Sequence, residues 1–260
     1  MTKFQHKLWG YELSYPDNWT HKTIEDSDGF AANPEALTPN YAGPDLGHLL
    51  VRGEWNGSRQ PIETLWGQHV GKLAVMLGAK NIGAAPWQMG GASGFEVEIV
   101  LPKRSTKRLW AGILARGTTL LHFMVLHHKE ERDRFEPLAT QIISSLRFIE
   151  HADDIATNQA GLPLPPNYTP IDPNKALPDI TDPEYWQAYD GNSGIGALQT
   201  FYLREARVHG WEITEYVPFP SESELDFARL KLQKEGRTAT LGILPSDEEI
   251  PTAKIAIKYG

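Results

Sequence analysis

The chain has no cysteine among its 260 residues. That excludes a disulfide framework, a thiolate zinc site, an iron–sulfur cluster and a cysteine nucleophile. It leaves the redox compartment open, because a cysteine-free protein suits either state. Long hydrophobic runs are also missing. No window approaches the ~18 consecutive apolar residues of a membrane span, so no transmembrane segment is expected. The segment Met1–Gly10 carries two lysines with no apolar run behind them. No signal peptide or lipidation motif is read there. The default expectation is a soluble cytoplasmic protein, although a processed secreted form would read the same way.

What is present suits folded structure. The chain is 40% hydrophobic and 10% aromatic, with 22% charged residues. Its length suggests one large domain or two small ones. The net charge of −8 is unevenly placed. Residues 1–150 hold 16 Lys+Arg and 16 Asp+Glu, whereas residues 151–260 hold 9 and 17. An acidic C-terminal part repels phosphate backbones, so nucleic acid is not expected as a partner. The one basic cluster is Lys103, Arg104, Lys107 and Arg108. It reads as a solvated turn between strands or as a docking patch for an acidic partner.

Residues 151–183 hold seven prolines among Asp, Asn and Gly. They read as an extended Pro-rich acidic linker, or as a strap anchored by Leu162, Leu164, Tyr168 and Ile171. The expected domains are therefore 1–150 and 184–260, with 151–183 between them. In the first, strands are expected over 8–15, 21–24, 30–33 and 48–55, with a loop over 34–45. A helix follows. Pro61 suits its first turn, apolar residues from Ile62 to Leu77 recur at three-and-four spacing, and Gly78 stops it. Residues 95–101 alternate, with Phe95, Val97, Ile99 and Leu101 on one side and Glu96 and Glu98 on the other. Strands 109–116 and 118–128 turn at Gly117. A last helix over 129–145 contains Pro137, where a kink or late start is expected. Short turns make neighbouring strands antiparallel, so the fold class is α+β: an antiparallel sheet flanked by helices.

The second domain reads as a smaller α+β unit with one helix on an antiparallel sheet. A strand over 185–189 precedes a helix capped by Asn192 or Ser193, with Leu198, Phe201, Tyr202 and Ala206 inward and Leu203 as a further candidate for that face. Gly210 ends it. Strands over 211–217, 224–234, 238–244 and 254–258 complete the sheet.

Three segments carry a family resemblance. They are Gly10-Tyr-Glu-Leu-Ser-Tyr-Pro-Asp-Asn-Trp19, Gly94-Phe-Glu-Val-Glu-Ile99, and the run from Phe135 through Ile142-Ile-Ser-Ser-Leu-Arg-Phe148. Over about residues 8–150 the chain resembles the PsbP/DcrB-like superfamily, which includes photosystem PsbP, DcrB, a Ran-binding release factor and the Eag-type effector chaperones. The resemblance implies an α/β/α sandwich and a group whose members mainly bind other proteins. Its motifs are structural, so it carries no catalytic residue across. The second domain resembles an uncharacterised bacterial β-α-β-β-β domain, marked by Phe201-Tyr202 and Gly210-Trp211.

Few groups suggest chemistry. On a strand, Glu96 and Glu98 share a face about 7 Å apart, a spacing compatible with paired-carboxylate acid/base work. They equally suit a solvated sheet face opposite Arg116 or Lys107. His122 and His128 share a face ~20 Å apart and His127 points the other way, so the three cannot chelate one ion. Gly90-Gly91-Ala92-Ser93-Gly94 precedes a strand, so it reads as a turn and not a phosphate loop. Ser144-Ser145 lacks a nucleophile elbow, and Asp247-Glu248-Glu249 lacks calcium-loop spacing.

The leading reading is a non-enzymatic protein-binding or assembly protein, chaperone-like or accessory, with no cofactor and no metal assigned. Its partner is expected to be another protein, and the oligomeric state stays open. Candidate partner-binding residues are Trp55, Trp66, Trp87 and Trp110, with Lys103, Arg104, Lys107 and Arg108. Two alternatives are a metal-dependent enzyme using Glu96, Glu98 and nearby histidines, and a small-molecule sensor holding an apolar ligand between the domains.

Overall fold

The computed structural model describes residues 1–24, 26–38, 47–79, 83–102, 105–178, 180–220, 225–246 and 252–260. The chain forms two compact units. One comprises Met1–Gln5 and Tyr11–Phe148, the other His6–Gly10 and Ile149–Gly260. Both are α+β with antiparallel sheets.

In the first unit, β3 (Thr20–Ile24), β4 (Ser27–Ala31), β5 (His48–Trp55), β6 (Ala85–Met89), β7 (Ala92–Ile99), β8 (Lys107–Arg116) and β9 (Thr119–His128) make a seven-stranded sheet. Its order is β3-β4-β5-β9-β8-β7-β6, and every neighbouring pair is antiparallel. A smaller sheet joins β1 (Thr2–His6), β2 (Tyr11–Tyr15) and β10 (Arg147–Phe148). The strands β1 and β6 are absent from the sequence reading. Both are short: β1 is polar, and β6 contains Pro86, which weakens any strand signal. The first strand expected over 8–15 is confined to Tyr11–Tyr15, because a tight turn with Gly10 at φ 69° comes before it. The loop expected over 34–45 includes a 3₁₀ turn at Pro34–Leu37, capped by Asn33, and its residues 39–45 lie outside the described residues.

The helix α1 (Ile62–Leu77) ends at Gly78, whose left-handed backbone returns its N–H to the Ala74 carbonyl. Its apolar stripe packs Ile62, Leu65, Trp66 and Val70 on Phe95, Val97, Ile113 and Leu120. The helix α2 (Arg132–Ser144) follows a 3₁₀ turn at Lys129–Glu131 and runs through Pro137. Burial of Phe135, Ala139, Ile142 and Ile143 offsets the N–H that Pro137 lacks. Along β8 successive side chains alternate, so Ala111 and Ile113 meet the α1 side while Trp110 and Gly112 meet the α2 side. The sheet is thus covered by helices on both faces.

The second unit has β11 (Thr169–Ile171), β12 (Trp186–Asp190), β13 (Glu212–Val217), β14 (Ala228–Lys234), β15 (Arg237–Pro245) and β16 (Ala253–Tyr259). They pair antiparallel in the order β11-β12-β16-β15-β14-β13. A single turn, α3 (Pro173–Ala176), is capped by the Asp172 side chain. The main helix, α4 (Ile195–Val208), has Gly194 at its N-cap in place of the expected Asn192 or Ser193. Its end matches the expected stop. Gly210 at φ 79° gives its N–H to Arg207, and Trp211 gives its own to Ala206. Leu198, Phe201, Tyr202 and Ala206 are buried against Leu230, Leu241, Ile243 and Ile255. The stretch 151–183, expected as a linker or strap, contributes Leu162 and Tyr168 to this core and pairs β11 with β12.

Charged residues hold this unit's N-terminal pieces. Glu205 is fully buried on α4. It accepts from the Ala152 N–H at 2.9 Å and from Arg204 Nε at 2.8 Å, and the His151 ring lies 3.0 Å from it. The Arg204 guanidinium also donates to the carbonyls of Lys7 and Leu8.

Candidate functional site

Between α2 and the strands β6–β9 lies a cavity of about 370 Å³. The floor comes from one face of the sheet, and Ala139, Thr140 and Ile143 of α2 form the opposite wall. Strand alternation selects the floor residues. Glu96 and Glu98 on β7, Arg108 and Trp110 on β8, and Val125 and His127 on β9 all line the cavity, with Trp87 and Met89 from the edge strand β6.

The aromatic part is set by a missing side chain. A Cβ on Gly112 would come within 2.8 Å of both the Trp110 and Trp87 rings. Glycine there lets the two indoles meet edge to face, with centroids 5.4 Å apart. Trp87 also packs edge-on to Phe123 at 5.2 Å. Gly94, opposite Trp87 on β7, permits close strand approach, because a Cβ there would stand 1.8 Å from the Ile113 carbonyl oxygen.

The polar part is a chain of charges. Glu98 accepts from the Arg108 guanidinium, with Nε at 2.9 Å. Arg108 Nε also stands 3.9 Å from Glu136 on α2. Glu136 is met by Arg132 Nε at 3.1 Å and by His127 Nε2 at 3.3 Å. His127 is buried, and its Nδ1 lies 2.8 Å from the His128 carbonyl oxygen. That oxygen can only accept, so Nδ1 carries a proton. Glu96 differs from the other carboxylates. Among the described residues its one hydrogen-bond partner is the Trp110 indole N–H at 3.2 Å, and no cation is in ion-pair reach.

Of the sequence candidates, Trp87, Trp110 and Arg108 meet in this cavity, together with Glu96 and Glu98. Trp66 is elsewhere, buried on the α1 side of the sheet. Trp55 ends β5 and is not among the lining residues, nor is Lys107. Lys103 and Arg104 lie outside the described residues, as does the Asp247–Glu249 tip. The expected carboxylate partners Arg116 and Lys107 are replaced by Arg108, which is diagonal to Glu98 across the β7–β8 register. Sequence reasoning missed Glu136 and the convergence of His127. Its available signal was the Arg132–Glu136 pair at helical i,i+4 spacing.

A second polar group lies on the α1 side. His122 Nε2 is 2.9 Å from Glu54, and the His69 ring is 4.8 Å from the His122 ring. Burial, together with the nearby His122 and Arg52 charges, lowers the His69 pKa to about 4. The His122 contact holds the Glu54 carboxyl below its ordinary value. Among the described residues no group of three or more His, Asp or Glu is arranged to hold a metal ion. No helix among them is long and apolar enough to cross a membrane.

No protein-family model matches the chain, and no curated protein does. Solved structures do. Cyanobacterial PsbP (CyanoP) from Synechocystis sp. PCC 6803 is 15% identical, covering 56% of this chain and 91% of that one at a TM-score of 0.42. LpqN of Mycobacterium tuberculosis, described as involved in cell envelope biogenesis, is 13% identical over 54% of this chain and 83% of its own, with a TM-score of 0.42. The Ran-binding protein Mog1p of Saccharomyces cerevisiae is 10% identical over 57% and 95%, with a TM-score of 0.40.

Proposed function

We propose that the chain is a non-enzymatic binding protein whose first unit takes a segment of a partner protein into the cavity between α2 and β6–β9. One observation carries this reading. Two tryptophans meet edge to face in a 370 Å³ cavity, on a floor cleared by Gly112. Rigid aromatic anchors beside a few polar groups are the usual make-up of a recognition pocket. The carboxylates support binding more than acid/base work. Glu98 and Glu136 are committed to contacts with Arg108, Arg132 and His127, which leaves them bridged within the wall.

The test is comparative capture. The tagged full chain and its Trp110→Phe and Gly112→Ala variants are exposed to an extract of the source cells. A stoichiometric partner retained by the wild type and lost by both variants supports the reading. Equal retention by all three refutes it.

The convergence of Glu96, Glu98 and His127 on one cavity favours a second reading, that of an enzyme using these groups. It requires turnover that is lost in Glu98→Gln and kept in Trp110→Phe.

A further inference from the structure

We infer that the cavity between α2 and β6–β9 recognises an arginine or lysine side chain of a partner's extended segment, its cation against Glu96 and its stem along Trp110 and Trp87. This deepens the binding role proposed for the same cavity.

The charge balance selects the occupant. Three carboxylates, Glu96, Glu98 and Glu136, line the cavity against one arginine, Arg108, and the His127 ring. Arg108 bridges Glu98 and Glu136, and His127 and Arg132 complete the surroundings of Glu136. The charge left without a counterion among the described residues is Glu96, which is held only by the Trp110 indole N–H. That bond takes Oε2 and leaves Oε1 to a ligand. An anionic ligand would be repelled there. A purely apolar one would strip water from a carboxylate and return no hydrogen bond. A cation on an apolar stem satisfies both halves of the site, because the indole faces attract it and the carboxylate completes its hydrogen bonds.

The same arrangement points to a peptide. The cavity, at about 370 Å³, falls near the lower end of the ~300–1,000 Å³ range of ligand pockets, a size that suits one long side chain. Glu98 and Glu136, at 48% and 37% exposed, reach the surface with their arginine partners, so neighbouring residues of the segment meet a rim of paired charges. The adjacent edge strand β6 contains Pro86, which has no N–H to offer an added strand. Recognition therefore falls to side chains in the cavity.

The experiment titrates the full-length chain with acetyl-Ala-Ala-Arg-Ala-Ala-amide, following the indole N–H resonances by NMR. Trp110→Phe assigns the Trp110 signal. The expected result is a saturable shift of the Trp110 signal that the citrulline version of the peptide does not produce. Glu96→Gln, which keeps an acceptor for the indole, is expected to weaken binding by about tenfold, the scale of one charge-assisted hydrogen bond. Equal binding of the citrulline peptide, or an unchanged affinity in Glu96→Gln, overturns the proposal. So does equally tight binding of agmatine, which offers the guanidinium without a peptide. A partner whose capture fails with Trp110→Phe and persists with Glu96→Gln leaves the binding role standing and removes the cation. Capture indifferent to both variants removes both.

Discussion

The Tyr11 hydroxyl donates to Asp28 Oδ2 across 2.6 Å inside the first unit, and the His21 ring reaches the other carboxylate oxygen at 2.9 Å. Tyr11 is fully buried, and burial beside Asp28 pushes its pKa well above the ordinary value, so it serves as a neutral donor at any working pH. This links the Gly10-Tyr11 motif to the sheet at β4. Tyr11→Phe removes a hydrogen bond to a buried carboxylate and should cost about 1–3 kcal/mol. Urea denaturation read by circular dichroism checks this, and an unchanged midpoint would contradict it.

The Gly112→Ala substitution tests how the groove is built. An added Cβ falls 2.8 Å from both indoles, so the rings must move while the strand pairing stays. Binding of the arginine peptide should fall by about tenfold with a stability loss near ~1 kcal/mol. By contrast Gly94→Ala, whose Cβ would stand 1.8 Å from the Ile113 carbonyl oxygen, pushes β7 off β8. It should cost about 1–3 kcal/mol or more. If the two variants cannot be told apart, the assigned role of Gly112 fails.

Acid should weaken the α1 side of the first unit. The His69 pKa lies at about 4, below the unfolded value near 6.5. The unfolded chain therefore binds this proton first, and stability is lost as pH falls from about 6.5 to about 4. Glu54, also held low, adds a loss that begins below its ordinary value. His69→Gln should flatten the stability curve between pH 6.5 and pH 5. Parallel slopes for wild type and variant in urea titrations at those two values would dismiss the effect.

In the second unit, Glu205→Ala strands the Arg204 guanidinium and the Ala152 N–H around a fully buried position. Removing one partner of such a pair typically costs about 3–5 kcal/mol. Glu205→Gln keeps an acceptor and should cost less. The order of the two thermal midpoints decides it, and a Gln variant as unstable as the Ala variant would show that charge, not hydrogen bonding, matters there.

The periodic elements were readable because their physics is local. β5 spans His48–Trp55 and α1 stops at Gly78, as alternation, helical spacing and a left-handed glycine require. Opposite faces for Glu96 and Phe95 also followed from the period of two. The short strands β1 and β6 had too few alternating residues to register, and the edge strand β6 carries a proline. The groove was half legible. Composition and position mark Trp87, Trp110 and Arg108 as partner-binding candidates and Glu96 and Glu98 as a carboxylate pair, but nothing local says that they share one cavity with His127 and Glu136.

The sequence by itself determined the α+β class, the antiparallel pairing of strands joined by short turns, the faces of each strand and the stops at Gly78 and Gly210. Each depends on neighbours within a few residues. Tertiary structure alone decided that α2 lies over the Glu96 side of the sheet, that Arg108 and not Arg116 or Lys107 meets Glu98, and that Leu162 and Tyr168 enter the core of the second unit. Those outcomes come from long-range packing, where burial of apolar area and pairing of buried charge are settled between residues far apart in sequence.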